Sequence, residues 1–196
     1  MKIFGIESSV PEPVQEFSYY LVADSAAVPW RKPCFVPDFA DDFRLRPVVA
    51  VRIDRLGKGI AQKFASRYYN MAAFGYAFHA EDLRLRLAGV GQPQSAAMSF
   101  DGSLCLGSWQ LFSEMAAQAA AGVSCSVGGE ERLLRFLDLA DLADRAISFL
   151  SNTYTLKTGD IILFHSCAPG CAPSAVPGQD VAFAAGDAVL HSFTLR

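Results

Sequence analysis

The sequence has no apolar run near the ~20 residues that a membrane-spanning helix needs, so a spanning segment is not expected. It has no basic arm or basic face. With a formal charge of −3 it gives no reason to expect a nucleic-acid partner. The opening Met1-Lys2-Ile3-Phe4-Gly5 turns polar too soon for a secretory signal, and a cytoplasmic protein is the expectation. Cysteine is sparse and odd in number, at five. In a chain of 196 residues that argues against a disulfide framework, and Cys105 and Cys125 read as small core residues. Disorder is excluded by a composition that is 52% hydrophobic. That length and composition suit one domain, residues 1–196, with a sizeable core.

The stretch from Phe43 to Phe78 organises the rest. Val48 to Ile53 is a valine-rich run that suits a strand buried on both faces. Arg55 to Gly59 turns on two glycines, and Ile60, Phe64 and Tyr68 then recur at helical spacing, with Lys63 and Arg67 on the wet side. Phe74 to Phe78 is a second strand, which this order would place beside the first. Elsewhere, Lys2–Ile6, Tyr19–Ala23 and the segment after Val181 read as strands, and Leu156–Leu163 reads as a turn then a strand. Val123, Cys125 and Val127 alternate with serines, and Gly128-Gly129 turns the chain into a returning strand, Glu130 to Phe136. Met115–Ala121 reads as a short helical turn and Asp138–Leu150 as a helix. The segment 79–98 reads as a short helix or a strand followed by a loop. His191 reads as a structural histidine on a strand face.

Asp38, Asp41 and Asp42 punctuate a loop and read as solvated rather than as a metal site. Glu7 and Glu12 flank another loop and read the same way. His165, Cys167 and Cys171 leave three choices: free thiols in a loop, a soft-metal site completed by His79, or a Cys167 nucleophile with His165 as base.

Several blocks in order resemble the fumarylacetoacetate hydrolase family, the C-terminal domain shared by acylpyruvate hydrolases, oxaloacetate decarboxylases and 2-hydroxyhepta-2,4-diene-1,7-dioate isomerases. The carrying residues are Trp30-Arg31-Lys32-Pro33, Arg55-Leu56-Gly57-Lys58-Gly59-Ile60, Ala80-Glu81-Asp82-Leu83, Phe100-Asp101-Gly102-Ser103, Leu156-Lys157-Thr158-Gly159-Asp160-Ile161-Ile162-Leu163 and Gly186-Asp187-Ala188-Val189. The resemblance implies an α+β fold, a mixed β-sandwich or roll with short helices. It also implies a two-fold homodimer and a Mg²⁺ or Mn²⁺ cofactor held by three carboxylates.

At those three positions this chain has Arg46, Val48 and Ala77. Valine and alanine offer no side-chain oxygen to a hard cation, and Arg46 adds a fixed positive charge. The front loop has no histidine where the family has its acid/base pair, and Met98 replaces a substrate-binding lysine. Lys32 remains, and Ser166 keeps a hydroxyl in the carboxylate-binding loop. The expectation is therefore a catalytically silent member, a pseudoenzyme without a metal cofactor. Its pocket of Lys32, Arg46, Val48, Ala77, Met98 and Ser166 would take a small anion. If Arg46 instead paired with Asp41 or Glu81, Met98 and Val48 would fill the site. The competing expectation is an active hydrolase, isomerase or decarboxylase of a 2-oxo acid with a rebuilt site.

Overall fold

A computed structural model describes residues 1–7, 17–28, 31–134, 138–167 and 169–196. Glu12, Trp30 and Phe136 lie outside the described residues. Among the described residues, twelve strands and five α-helices follow one another in the order β1 (Ile3–Glu7), β2 (Ser18–Val22), β3 (Ala27–Val28), β4 (Phe43–Ile53), α1 (Gln62–Ala65), β5 (Tyr69–Ala80), α2 (Glu81–Gly89), α3 (Ser95–Met98), β6 (Leu104–Leu106), β7 (Gln110–Leu111), α4 (Phe112–Ala121), β8 (Val123–Val127), β9 (Glu130–Leu134), α5 (Leu139–Thr153), β10 (Ile161–His165), β11 (Asp180–Ala185) and β12 (Ala188–Thr194).

The strands form two sheets. The larger runs β2-β1-β10-β4-β5-β6-β3, with β7 pairing on β5, and the smaller runs β12-β11-β8-β9. This is the mixed α+β architecture that the sequence pattern implies. Its spine is the antiparallel pair β4 and β5, in register from Phe43 opposite Ala80 to Arg52 opposite Met71. Both strands are buried on both faces over most of their length, as the unbroken apolar runs require. One face contributes Val49, Val51, Phe74, Tyr76 and Phe78 to the main core. The other contributes Val48, Ala50, Ala73 and Ala77 to a second cluster with Leu104, Leu106, Ile161 and Leu163.

The helical pattern at Ile60–Tyr68 is realised only in part. α1 covers one turn and a 3₁₀ turn follows over Ser66–Tyr68. Ile60 is buried ahead of the helix, while Phe64 stays exposed beneath the cations of Lys63 and Arg67. So short an amphipathic segment, set between two glycines and a long strand, buries one anchor rather than a stripe. Conversely, α4 is longer than the expected helical turn, and segment 79–98 resolves into α2 and α3.

Cys34 and Cys105 are joined by a disulfide, so Cys105 is more than a core filler. The odd cysteine count had argued against a framework, and one bond is compatible with that count. Its partner Cys34 comes from a loop 71 residues away in sequence, a pairing that no spacing rule reveals. Cys125 is a free, buried thiol as expected.

The turn before β10 is fixed by Asp160, whose carboxylate accepts from the backbone N–H of Lys2 and of Lys157, each at 2.8 Å. The Lys2 ammonium completes the group. This knot sets the parallel register of β1 on β10, Ile3 opposite Ile161. Replacing Asp160 with alanine strands two backbone donors. The expected loss of folding stability is about 2–3 kcal/mol, read from denaturant unfolding.

Candidate functional site

The side chains that could carry chemistry converge on one face of the large sheet. β4 places Arg46 opposite Ala77 of β5, and Arg44 lies opposite His79. β10 places His165 opposite Val48, and the parallel partner β1 ends at Glu7 on the same side. β2 brings Tyr20 across Gly5. That crossing depends on glycine, because a Cβ at Gly5 would lie 2.4 Å from the Tyr20 ring. Gly5 thus lets the phenol lie over β1 and reach into the middle of the sheet.

Arg46 is fully buried, which is rare for arginine and demands compensation. Compensation comes from Glu7. Nη1 donates to Oε1 and Nη2 to Oε2, both at 2.8 Å, a two-pronged pairing of planar groups. The Cys167 carbonyl accepts from Nε at 2.9 Å and from Nη2 at 2.6 Å. Arg46 pairs with Glu7 rather than with Asp41 or Glu81, and Glu81 pairs with Arg84. Glu7 is therefore a structural anion and not a solvated loop residue. The reading erred because a carboxylate at a strand end has no apolar signature, and its partner lies 39 residues away.

Beside this pair, the Tyr20 hydroxyl bonds Nε2 of His165 at 2.8 Å and Nε2 of His79 at 3.3 Å. Burial pushes the pKa of both histidines well below the usual value, and the Arg46 charge adds to the effect. Burial also raises the Tyr20 phenol far above its ordinary value. At neutral pH the triad is uncharged, a set of neutral hydrogen-bonding groups packed against one ion pair.

The residues expected to share a pocket separate into three places. Arg46, Val48 and Ala77 share the face, with Val48 and Ala77 in its apolar cluster. Ser166 is close by, but its hydroxyl donates to the Pro47 carbonyl at 3.0 Å, as its backbone N–H does at 3.1 Å. Met98 is packed in the main core. Lys32 lines a different cleft, between β3, β6 and β12, to which none of the other five contributes.

The sharper readings of the Cys167 loop lack support. His165 faces Tyr20, and burial raises the Cys167 thiol, outweighing the opposing pull of Arg46. A thiol so placed is not the thiolate a nucleophile requires. Among the described residues, no group of three His, Cys, Asp or Glu side chains could hold a metal ion. The positions where the resemblance expects carboxylates present a guanidinium, an isopropyl and a methyl group, a donor set that does not fit Mg²⁺ or Mn²⁺. Sequence reasoning missed Tyr20 and weighed His79 only as a metal ligand. The signal was faint: a small residue at Gly5 facing an aromatic on the next strand.

Two sheets carrying a few helices make this an α+β fold, with its polar cluster on the β4–β5 face. The family model for the fumarylacetoacetate (FAA) hydrolase C-terminal region matches residues 4–194, and the chain belongs to that family. Fumarylpyruvate hydrolase from Pseudomonas aeruginosa, solved with Mn²⁺ and pyruvate, superimposes with a TM-score of 0.80 at 18% identity, covering 100% of this chain and 88% of that one. For 2-hydroxyhepta-2,4-diene-1,7-dioate isomerase from Mycobacterium marinum the values are 0.75 and 18%, over 99% and 73%. For 5-carboxymethyl-2-hydroxymuconate delta-isomerase from Mycobacterium smegmatis they are 0.71 and 20%, over 99% and 77%. At these identities the likeness is one of fold. Comparison with curated proteins gives no match.

The neutral histidines set an expected pH dependence. An unfolded histidine protonates near pH 6.5, whereas folded His79 and His165 resist protonation, as does His191, lowered to about 4 by burial. Below about pH 6.5 the unfolded chain binds more protons, so stability falls as pH falls, by up to about 1.4 kcal/mol per unit per histidine. Urea unfolding between pH 7.5 and 5 checks this. A flat or rising stability would contradict it, and His165→Asn should shrink the slope.

Proposed function

We propose that this chain is a metal-independent, catalytically silent member of its family, retained for binding rather than turnover. The observation that carries the reading is the buried Arg46 guanidinium, held by both oxygens of Glu7 on the face where a cation would be needed. A fixed organic cation with its own internal carboxylate leaves no oxygen set for a divalent ion among the described residues. With Ser166 turned to the Pro47 carbonyl, no free hydroxyl faces a substrate carboxylate there. An anion could reach Arg46 only by displacing Glu7, so small-anion affinity at this site is weak.

The rebuilt-site alternative has one observation in its favour, the Tyr20, His79 and His165 cluster. Two neutral imidazoles and a phenol would serve proton transfer if a substrate reached them. Their burial favours the silent reading. A two-fold homodimer is part of the proposal, supported by the family's habit and by exposed Phe35, Leu111 and Leu133.

Thermal melts with and without millimolar Mn²⁺ and pyruvate, and turnover assays with oxaloacetate and acylpyruvates, test the proposal. The expected outcome is no Mn²⁺-dependent rise in melting temperature and no turnover above the uncatalysed rate. Saturable Mn²⁺-dependent turnover would overturn it. Light scattering on the same samples should give twice the chain mass; a monomer would remove the dimer.

A further inference from the structure

Lys32 lies in a cleft of about 550 Å³, within the size range of small-molecule sites. It forms where the outermost strands of the two sheets meet: β3 ends the large sheet and β12 ends the small one. Val28, Leu106, Leu190 and Phe193 give it apolar walls. Lys32 and Arg196 bring two cationic side chains to its lining beside Arg31, and among the described residues no Asp or Glu side chain lines it. His191 also faces it and is neutral at pH 7. Cationic groups set between low-dielectric walls concentrate anions.

The cationic segment is pinned. Cys34, two residues after Lys32, is bonded through sulfur to Cys105 of the large sheet. Its carbonyl accepts from the Arg196 N–H at 3.0 Å, and the Val36 N–H donates to the Arg196 carbonyl at 2.8 Å. Arg31 has φ of 66°, a left-handed conformation uncommon for a residue with a side chain and sustained only where its surroundings enforce it. Both half-cystines line the cleft, so the disulfide belongs to its wall.

We propose that this cleft is a binding site for a small organic carboxylate with an apolar body, and that the Cys34–Cys105 disulfide holds its cationic lip in place. The carboxylate meets Lys32 and Arg196, and the hydrocarbon part lies on Leu106, Leu190 and Phe193. Reduction by a dithiol takes up two electrons and two protons, leaving thiols at Cys34 and Cys105 and the reagent as its cyclic disulfide. The Arg31–Cys34 segment then loses its tie to β6, and preorganisation for the ligand falls.

The test is calorimetric titration of the oxidised full chain with hexanoate, adipate and sodium sulfate, with hydrogen–deuterium exchange on the saturated complex. The proposal expects hexanoate or adipate to bind with Kd near or below ~1 mM, and sulfate at least about tenfold more weakly. Protection should appear in segments 31–36 and 189–196. Lys32→Glu, an exposed position that the fold tolerates, should weaken binding about tenfold or more, and so should Arg196→Glu. Dithiothreitol, or Cys34→Ser with Cys105→Ser, should weaken it several-fold. The site is overturned by any of three results: no carboxylate binding below ~10 mM, protection confined to other segments, or unchanged affinity in both charge variants. Sulfate binding as tightly as hexanoate overturns the apolar contribution, and unchanged affinity after reduction overturns the clamp.

Discussion

A buried arginine must be neutralised, and the Arg46–Glu7 pair is the constraint around which the polar half of this protein is built. A guanidinium with no exposure would be intolerable alone in the centre of a sheet, where desolvation costs several kcal/mol. Glu7 at the end of β1 supplies the charge and the Cys167 carbonyl supplies the remaining acceptor. The consequences spread outward from there. The chain after β10 must turn so that Cys167 presents its carbonyl inward. The same charge disfavours protonation of His79 and His165. Tyr20, admitted by Gly5, then bridges two neutral rings rather than an imidazolium.

This arrangement separates scaffold from chemistry. The family fold survives in topology and in the long β4–β5 pair, while Arg46 bonds Glu7 and Tyr20 bonds His79 and His165 on its central face. Fold alone does not carry activity. Lys32, which the sequence pattern would group with Arg46, sits instead with other cations in a cleft between the sheets.

Much of the fold was legible because apolar periodicity reports burial directly. The Val48–Ile53 run, the alternating Val123, Cys125 and Val127, and the Gly128-Gly129 turn all stand where the pattern put them. The Ile60–Tyr68 helix was overread, because spacing says nothing about how many turns the tertiary structure will cover. The site was less legible. That Arg46, Val48 and Ala77 share one face follows from strand alternation. That Glu7 neutralises Arg46, that Tyr20 reaches two histidines and that Cys34 joins Cys105 are long-range facts. Contacts between residues tens of positions apart leave no local pattern to read.

The account stands or falls on whether Arg46 and Glu7 act as one unit. A double-mutant cycle with Arg46→Met and Glu7→Gln, measured by denaturant unfolding, tests this directly. Losing the guanidinium alone leaves a partly buried carboxylate beside the apolar face, and the loss should be about 3–5 kcal/mol. The double variant should be less destabilised than the sum of the two singles, with a coupling of about 1.5 kcal/mol or more. Additive losses within about 0.5 kcal/mol would show that the two side chains do not depend on each other, and the central claim would be wrong.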